Sequence, residues 1–291
     1  MKIGYPCLNY SIGCTANKKF RLNSYSEENL IEKSTNNINC LKKILDYNLK
    51  NNSFFFRISS DIIPFASHPI CKFNWQKYYK KDFEEIGHFI KKNNIRISMH
   101  PDQFVLINSP NDEIVKRSIK ELDYHADILD LMNLDNSAKI QIHVGGVYGN
   151  KQEAISRFIK NYNLLPNKIK KRLAIENDDR LFSLKDCLDI NKEINIPIIF
   201  DTFHHECLNN GESIKEAINL ASKTWKNVDG CLMIDYSSQG LDEKKGKHAS
   251  TLDEVHFKNM IYEIKQANID FDIILEIKDK EISLKKALNS L

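Results

Sequence analysis

Residues 198–206 read IIFDTFHHE: three apolar residues, two of them β-branched, run into Asp201, and His204 and His205 follow after a short gap. A buried strand that ends on a carboxylate can be an isolated helix cap, or it can be one position in a ring. The other strand ends decide between these readings. Short β-rich runs occur at KIGY (2–5), FFFRIS (54–59), RISMH (96–100), KIQIHV (139–144), RLAIEN (172–177), PIIFD (197–201), CLMIDYS (231–237) and DIILEI (272–277). Between them lie segments of helical period. The clearest runs from Pro110 to Asn133, where Val115, Ile119, Leu122, Ala126 and Leu129 recur on one face, with Asn111 or Ser109 as cap and Asp112 and Glu113 favourably placed at its positive end.

Eight strand and helix pairs in 291 residues predict an α/β fold, a single (β/α)8 TIM barrel over residues 1–291, with a doubly wound open sheet as the alternative. An open sheet collects its ligands at one switch point, whereas a barrel collects them around a ring. Here the third strand ends at His100, the fourth at His143, the fifth at Glu176, the sixth at Asp201 with His204 beyond, the seventh at Asp235 and the eighth at Glu276. Taken singly, each has a plain structural reading as a cap, a turn former or a packed histidine. Six in succession do not, because carboxylates gathered in one mouth repel one another unless cations hold them.

Composition is compatible with this and excludes other classes. Hydrophobic side chains make up 42% and charged ones 28%, enough for a large core, and the formal charge of +3 makes no case for a strongly basic nucleic-acid or membrane binder. MKIGYPCLNY lacks a long apolar run and nothing resembles a membrane span, so a cytoplasmic protein is expected. Seven cysteines without a Cys-x-x-Cys pair predict neither a disulfide framework nor a zinc knuckle.

Imidazole and carboxylate without thiolate suit zinc, manganese or iron in an open site. His248, in GKHAST after the seventh strand, adds a further candidate ligand. So many ligands exceed the needs of one ion. Two or three ions sharing carboxylates, a chemistry that hydrolyses phosphodiesters, is the reading favoured over a single-metal sugar isomerase or epimerase. Arg57, Ser59, Ser60 and Asp61, just past the second strand, are placed either to contact phosphates or to form a turn. His68, His88, His125 and His256, and the two tryptophans Trp75 and Trp225, carry a structural expectation only.

The motifs IGYPCLN (3–9), FRISSDIIPFASH (56–68), SMHPDQF (98–104), IHVGG (142–146), IENDD (175–179), FDTFHH (200–205), SSQ (237–239), KHA (247–249) and LEIK (275–278) resemble the UV damage endonucleases, barrel DNA-repair enzymes related to endonuclease IV. The resemblance covers nearly the whole chain. It implies His100, His143, Glu176, Asp201, His204, His248 and Glu276 as metal ligands, with Asp235 at a further ligand position. It implies manganese as the ion, with zinc, cobalt or magnesium as alternatives, and damaged double-stranded DNA as the partner, nicked immediately 5′ to a pyrimidine dimer to leave a 3′ hydroxyl and a 5′ phosphate. No membrane or obligate protein partner is implied. Glu176, Asp235 and Glu276 are then the catalytic carboxylates around the ions, and Tyr5, Asn9 and Gln103 the lesion-probing residues, with Arg57 beside the DNA. The seventh strand departs from the family pattern of Lys-x-His before a Ser-Ser pair: this chain reads Met233, Ile234, Asp235. An active enzyme with altered metal preference or lesion range is the expectation. His205 is expected to support a ligand rather than to bind metal.

Overall fold

The computed structural model describes residues 1–291. Eight parallel strands close into a barrel in sequence order: β1 (Ile3–Pro6), β2 (Phe55–Ile58), β3 (Arg96–Met99), β4 (Lys139–His143), β5 (Leu173–Glu176), β6 (Ile198–Asp201), β7 (Leu232–Tyr236) and β8 (Phe271–Leu275). Every strand expected from the sequence is present, and closure is completed by the pairing of β1 with β8. The open-sheet alternative is thereby set aside. At Gly4 the β1 backbone lies so near β2 that an added Cβ would stand 1.8 Å from the Phe55 carbonyl oxygen. Only glycine fits there.

Around the barrel run α1 (Glu27–Lys50), α2 (Trp75–Tyr78), α3 (Lys80–Lys92), α4 (Asp112–Leu131), α5 (Lys151–Leu164), α6 (Asn167–Lys170), α7 (Leu184–Ile194), α8 (Thr202–Cys207), α9 (Ile214–Ser222), α10 (Glu254–Lys265) and α11 (Glu281–Asn289). In α4 the apolar stripe faces inward as its period predicts, with Val115, Leu122, Ala126 and Leu129 buried. Asn111 is the cap, accepting from the Glu113 amide at 2.9 Å, while Ser109 Oγ accepts from Asn111 itself. No helix is long and apolar enough to cross a membrane.

Strand residues alternate between the helix side and the barrel interior. The helix side belongs to one core of 65 buried apolar residues. Inside the barrel, Phe55, Ala174, Ile199, Met233 and Ile274 form a separate apolar cluster. Met233 therefore sits in a dry layer beneath the mouth. Two residues further along the same five strands stand Arg57, Glu176, Asp201, Asp235 and Glu276. The charged ring rests on an apolar floor.

One expectation is corrected. Cys14 and Cys40 are joined by a disulfide between the loop after β1 and α1. A separation of 26 residues with no paired-cysteine motif gives no local signal of it; the fold brings the two thiols together.

Candidate active site

Glu176 is buried at the end of β5 and lies among three imidazoles. His143 Nε2 is 2.9 Å from one of its oxygens, His204 Nδ1 3.7 Å from the same oxygen, and His100 Nε2 3.7 Å from the other. His100, His143 and Glu176 each present a donor atom within 4.8 Å of the others, the spacing of ligands on one ion. A second group is formed by Asp201, His204, His248 and Glu276: His204 Nδ1 is 3.5 Å from Asp201 Oδ2, and His248 Nδ1 is 3.8 Å from Glu276 Oε2. The His143, His204 and His248 rings succeed one another with centroids 5.8 Å apart at each step, so the two groups are contiguous.

Three of the rings are oriented by backbone. His100 Nδ1 donates to Pro101 O at 2.8 Å, His204 Nδ1 to Asn177 O at 3.0 Å and His248 Nδ1 to Glu276 O at 2.8 Å, which leaves Nε2 free in each. Fixing one ring nitrogen in this way is what presents the other to a cation. The residues behind the ring are held in turn. Ser60 Oγ donates to the His100 carbonyl at 2.7 Å, and Asn177 exchanges two hydrogen bonds with the Asp201 backbone. Past His143 the chain turns through Gly145 at φ +116°, where a Cβ would meet Asn108 Oδ1 at 2.3 Å, while Asn108 Nδ2 holds Gly146 O at 2.8 Å.

Asp201 does both things that its sequence allowed. Its Oδ1 accepts from the His204 amide at 2.7 Å and caps α8, and its Oδ2 is buried without a hydrogen bond. Glu176 Oε2 and His143 Nδ1 are likewise buried without a hydrogen bond. Leaving polar atoms buried and unpaired is costly, and two of these three are carboxylate oxygens in a ring of imidazoles. That donor set fits a divalent cation.

The electrostatics agree. Burial works against the charged forms of His143 and His204, but Glu176 beside the first and Asp201 and Glu176 beside the second outweigh it, lifting them to about 9 and about 10. Glu176 is held well below the usual carboxylate range: burial opposes this, and His143 and His100 overcome it. Asp201 is pushed up to about 7 by burial and by repulsion from Glu276 and Glu176, against the pull of His204. Without a cation in the ring, its carboxylates draw protons onto His143 and His204.

Several expected residues lie elsewhere. Tyr5 is fully buried, its phenol donating to Asn48 Oδ1 at 2.6 Å and accepting from Asn9 Nδ2 at 2.7 Å, and Asn9 is buried beside it. Arg57 is 2% exposed, at the base of the mouth, and forms an ion pair with Asp235 and with Glu276. Asp235, expected as a ligand, has both oxygens occupied by Arg57 and Gln141. Ser59 and Asp61 form a turn, Ser59 Oγ accepting from the Asp61 amide. His205 points away from the ring, its Nε2 on Glu212 O at 3.0 Å. Gln103 and Phe104, by contrast, are exposed in the loop after His100, and Phe104 is 71% exposed.

Sequence reasoning missed two residues of the mouth. His68 lines a cleft of about 520 Å³ together with His100 and Phe104. Lys280 lines the adjoining cleft with His100, Arg57, His248 and Glu276. The signal for Lys280 was its place four residues past the last strand-end glutamate; for His68 it was the histidine closing FRISSDIIPFASH.

The UV-endonuclease UvdE family model matches residues 1–291. The chain belongs to this family. As a member it is an endonuclease, of the UV-damage repair class. A UV DNA damage endonuclease of Clostridium perfringens (strain 13 / Type A) is 44% identical over 293 residues, covering 100% of this chain and 71% of that protein. The UV DNA damage endonuclease of Bacillus cereus (strain B4264) is 34% identical over 265 residues, 91% of this chain and 84% of the relative. The crystal structure of SacUVDE superposes with a TM-score of 0.94 at 50% identity over all of both chains. Endonuclease IV from Thermus thermophilus matches with a TM-score of 0.61 at 11% identity, over 100% of this chain and 98% of that one, a likeness of fold alone.

Proposed function

We propose that this family member nicks duplex DNA immediately 5′ to a UV photoproduct, in a reaction that requires divalent metal and leaves a 3′ hydroxyl and a 5′ phosphate. The observation that carries the metal requirement is the set of buried atoms without a hydrogen bond, Glu176 Oε2, Asp201 Oδ2 and His143 Nδ1, inside a ring of backbone-oriented imidazoles. His100, His143 and Glu176 would hold one ion, and Asp201, His204, His248 and Glu276 another, with manganese as the first candidate. Divalent ions bound there supply Lewis acidity, making water a nucleophile at neutral pH and neutralising charge on the phosphate.

The protein's own part is placement. Glu176, with imidazoles on both oxygens, joins the two groups of ligands and fixes their spacing. A dimer inside a duplex must leave the base stack before its phosphate can reach the floor of the mouth. Gln103 and Phe104, exposed on the rim above His100, have the amide and the aromatic face to fill the gap. Lys280 contributes a cation at the cleft wall, where a phosphate contact would position the strand without reading sequence.

The test uses protein stripped of metal and a duplex oligonucleotide with one cyclobutane dimer. Manganese should restore cutting, and a sequencing ladder should place the nick at the phosphate 5′ to the dimer. Absence of cutting with manganese, cobalt, zinc and magnesium alike, or a cut elsewhere, would overturn the proposal.

A further inference from the structure

Asp235 is the strand-end carboxylate whose two oxygens are both taken by other side chains. Arg57 Nη2 donates to its two oxygens at 2.7 and 2.9 Å, Gln141 Nε2 donates to Oδ2 at 2.5 Å, and Arg57 Nη2 also reaches Gln141 Oε1 at 2.7 Å. The other terminal nitrogen of Arg57 donates to Glu276 Oε1. β2, β4 and β7, with the residue that follows β8, thus contribute one side chain each to a network that crosses the barrel interior. Arg57 is 2% and Asp235 0% exposed. Glu176 and Asp201 each keep a buried oxygen without a hydrogen bond, while Asp235 keeps none.

We propose that Arg57 is a built-in cation standing where a further ion would otherwise bridge Asp235 and Glu276, so that this centre takes two divalent ions and no third. The inference rests on the metal reading given under Proposed function. With Glu176, Asp201, Asp235 and Glu276 all ionised, as bound cations favour, four carboxylates against one guanidinium leave three negative charges. Two divalent ions turn that into one positive charge, the complement of a phosphodiester. A third ion beside Arg57 would leave three positive charges in a site of low dielectric, where such repulsion is severe. Arg57 also acts as a positioning residue: by taking Glu276 Oε1 it leaves Oε2 on the His248 side.

The count is measurable without turnover. Full-length protein titrated with manganese, followed by calorimetry and native mass spectrometry, should bind two ions. In Arg57→Leu, Asp235 and Glu276 are released and capacity should rise to three, with a larger manganese-induced gain in Tm than in the wild type. Arg57→Leu/Asp235→Asn, which removes the pair together, should return to two. Three ions on the wild-type protein, or two on folded Arg57→Leu, would overturn the inference while leaving the metal reading intact. Should Arg57→Leu not fold, the wild-type count and that of the double variant decide, and three on either overturns it. No bound ion on the wild type overturns the metal reading itself.

Discussion

Glu176 is the residue on which the ring turns, because it alone contacts three imidazoles. Glu176→Gln keeps the shape and removes the charge. Without that charge the His143 pKa should fall from about 9 toward its ordinary value, followed by NMR titration, and nicking should drop by about a hundredfold or more, on the scale of disturbed metal sites. An unchanged rate would remove Glu176 from the chemistry. Tyr5 belongs to a different category. Its phenol ties Asn48 to Asn9 in the core, so Tyr5→Phe leaves buried amide groups unpaired and should cost about 1 to 3 kcal/mol in urea unfolding. Lesion affinity of the folded variant should be that of the wild type; a selective loss would restore Tyr5 to the lesion site.

At the scale of the element, each of five strands carries its charged residue two positions past the apolar floor, and the loop beyond decides what that residue can reach. The short helix α8 illustrates this: Asp201 caps it with one oxygen and offers the other to the site. The loop after β3 has the opposite character. His100 is pinned by Ser60 and Pro101, and the next turn lifts Gln103 and Phe104 into solvent. Phe104→Ala should weaken binding to dimer-containing duplex by about 1 to 3 kcal/mol, the range of base–aromatic stacking, with little change for undamaged duplex. Fluorescence anisotropy on both duplexes checks it, and equal losses on the two would mean that the ring merely packs against DNA.

For the whole molecule, metal, protons and stability are linked. His143 and His204, raised to about 9 and about 10, must release protons to ligate an ion, and so must Asp201, raised to about 7. Bound ion therefore competes with protons, and its affinity rises with pH. In metal-free protein the Asp201 shift has the opposite sign for stability. The folded state holds the proton more tightly than the unfolded one, so this group's contribution declines as pH climbs from about 4 through 7. Manganese should thus raise Tm more at pH 8 than at pH 6, by thermal scans at fixed free manganese. A gain independent of pH would contradict the ligand assignment.

The barrel was legible in the chain because its signals are local. A strand announces itself by β-branched residues, a helix by its period, and a mouth by polar residues at strand ends, all within a dozen residues of sequence. The expected strands and the inward face of α4 follow from that, and so does the gathering of His100, His143, Glu176, Asp201, His204, His248 and Glu276 at one end. What only the tertiary structure decided is which of these groups are already satisfied. Arg57 and Asp235 are 178 residues apart and meet across the closed barrel, Cys14 meets Cys40 across a loop, and the Tyr5 phenol is consumed by Asn48 from α1. Partnership of this kind depends on strand register and barrel closure, and no local pattern encodes it. The sequence determined the ring of residues; the fold determined that two of its carboxylates, Asp235 and Glu276, already share a cation.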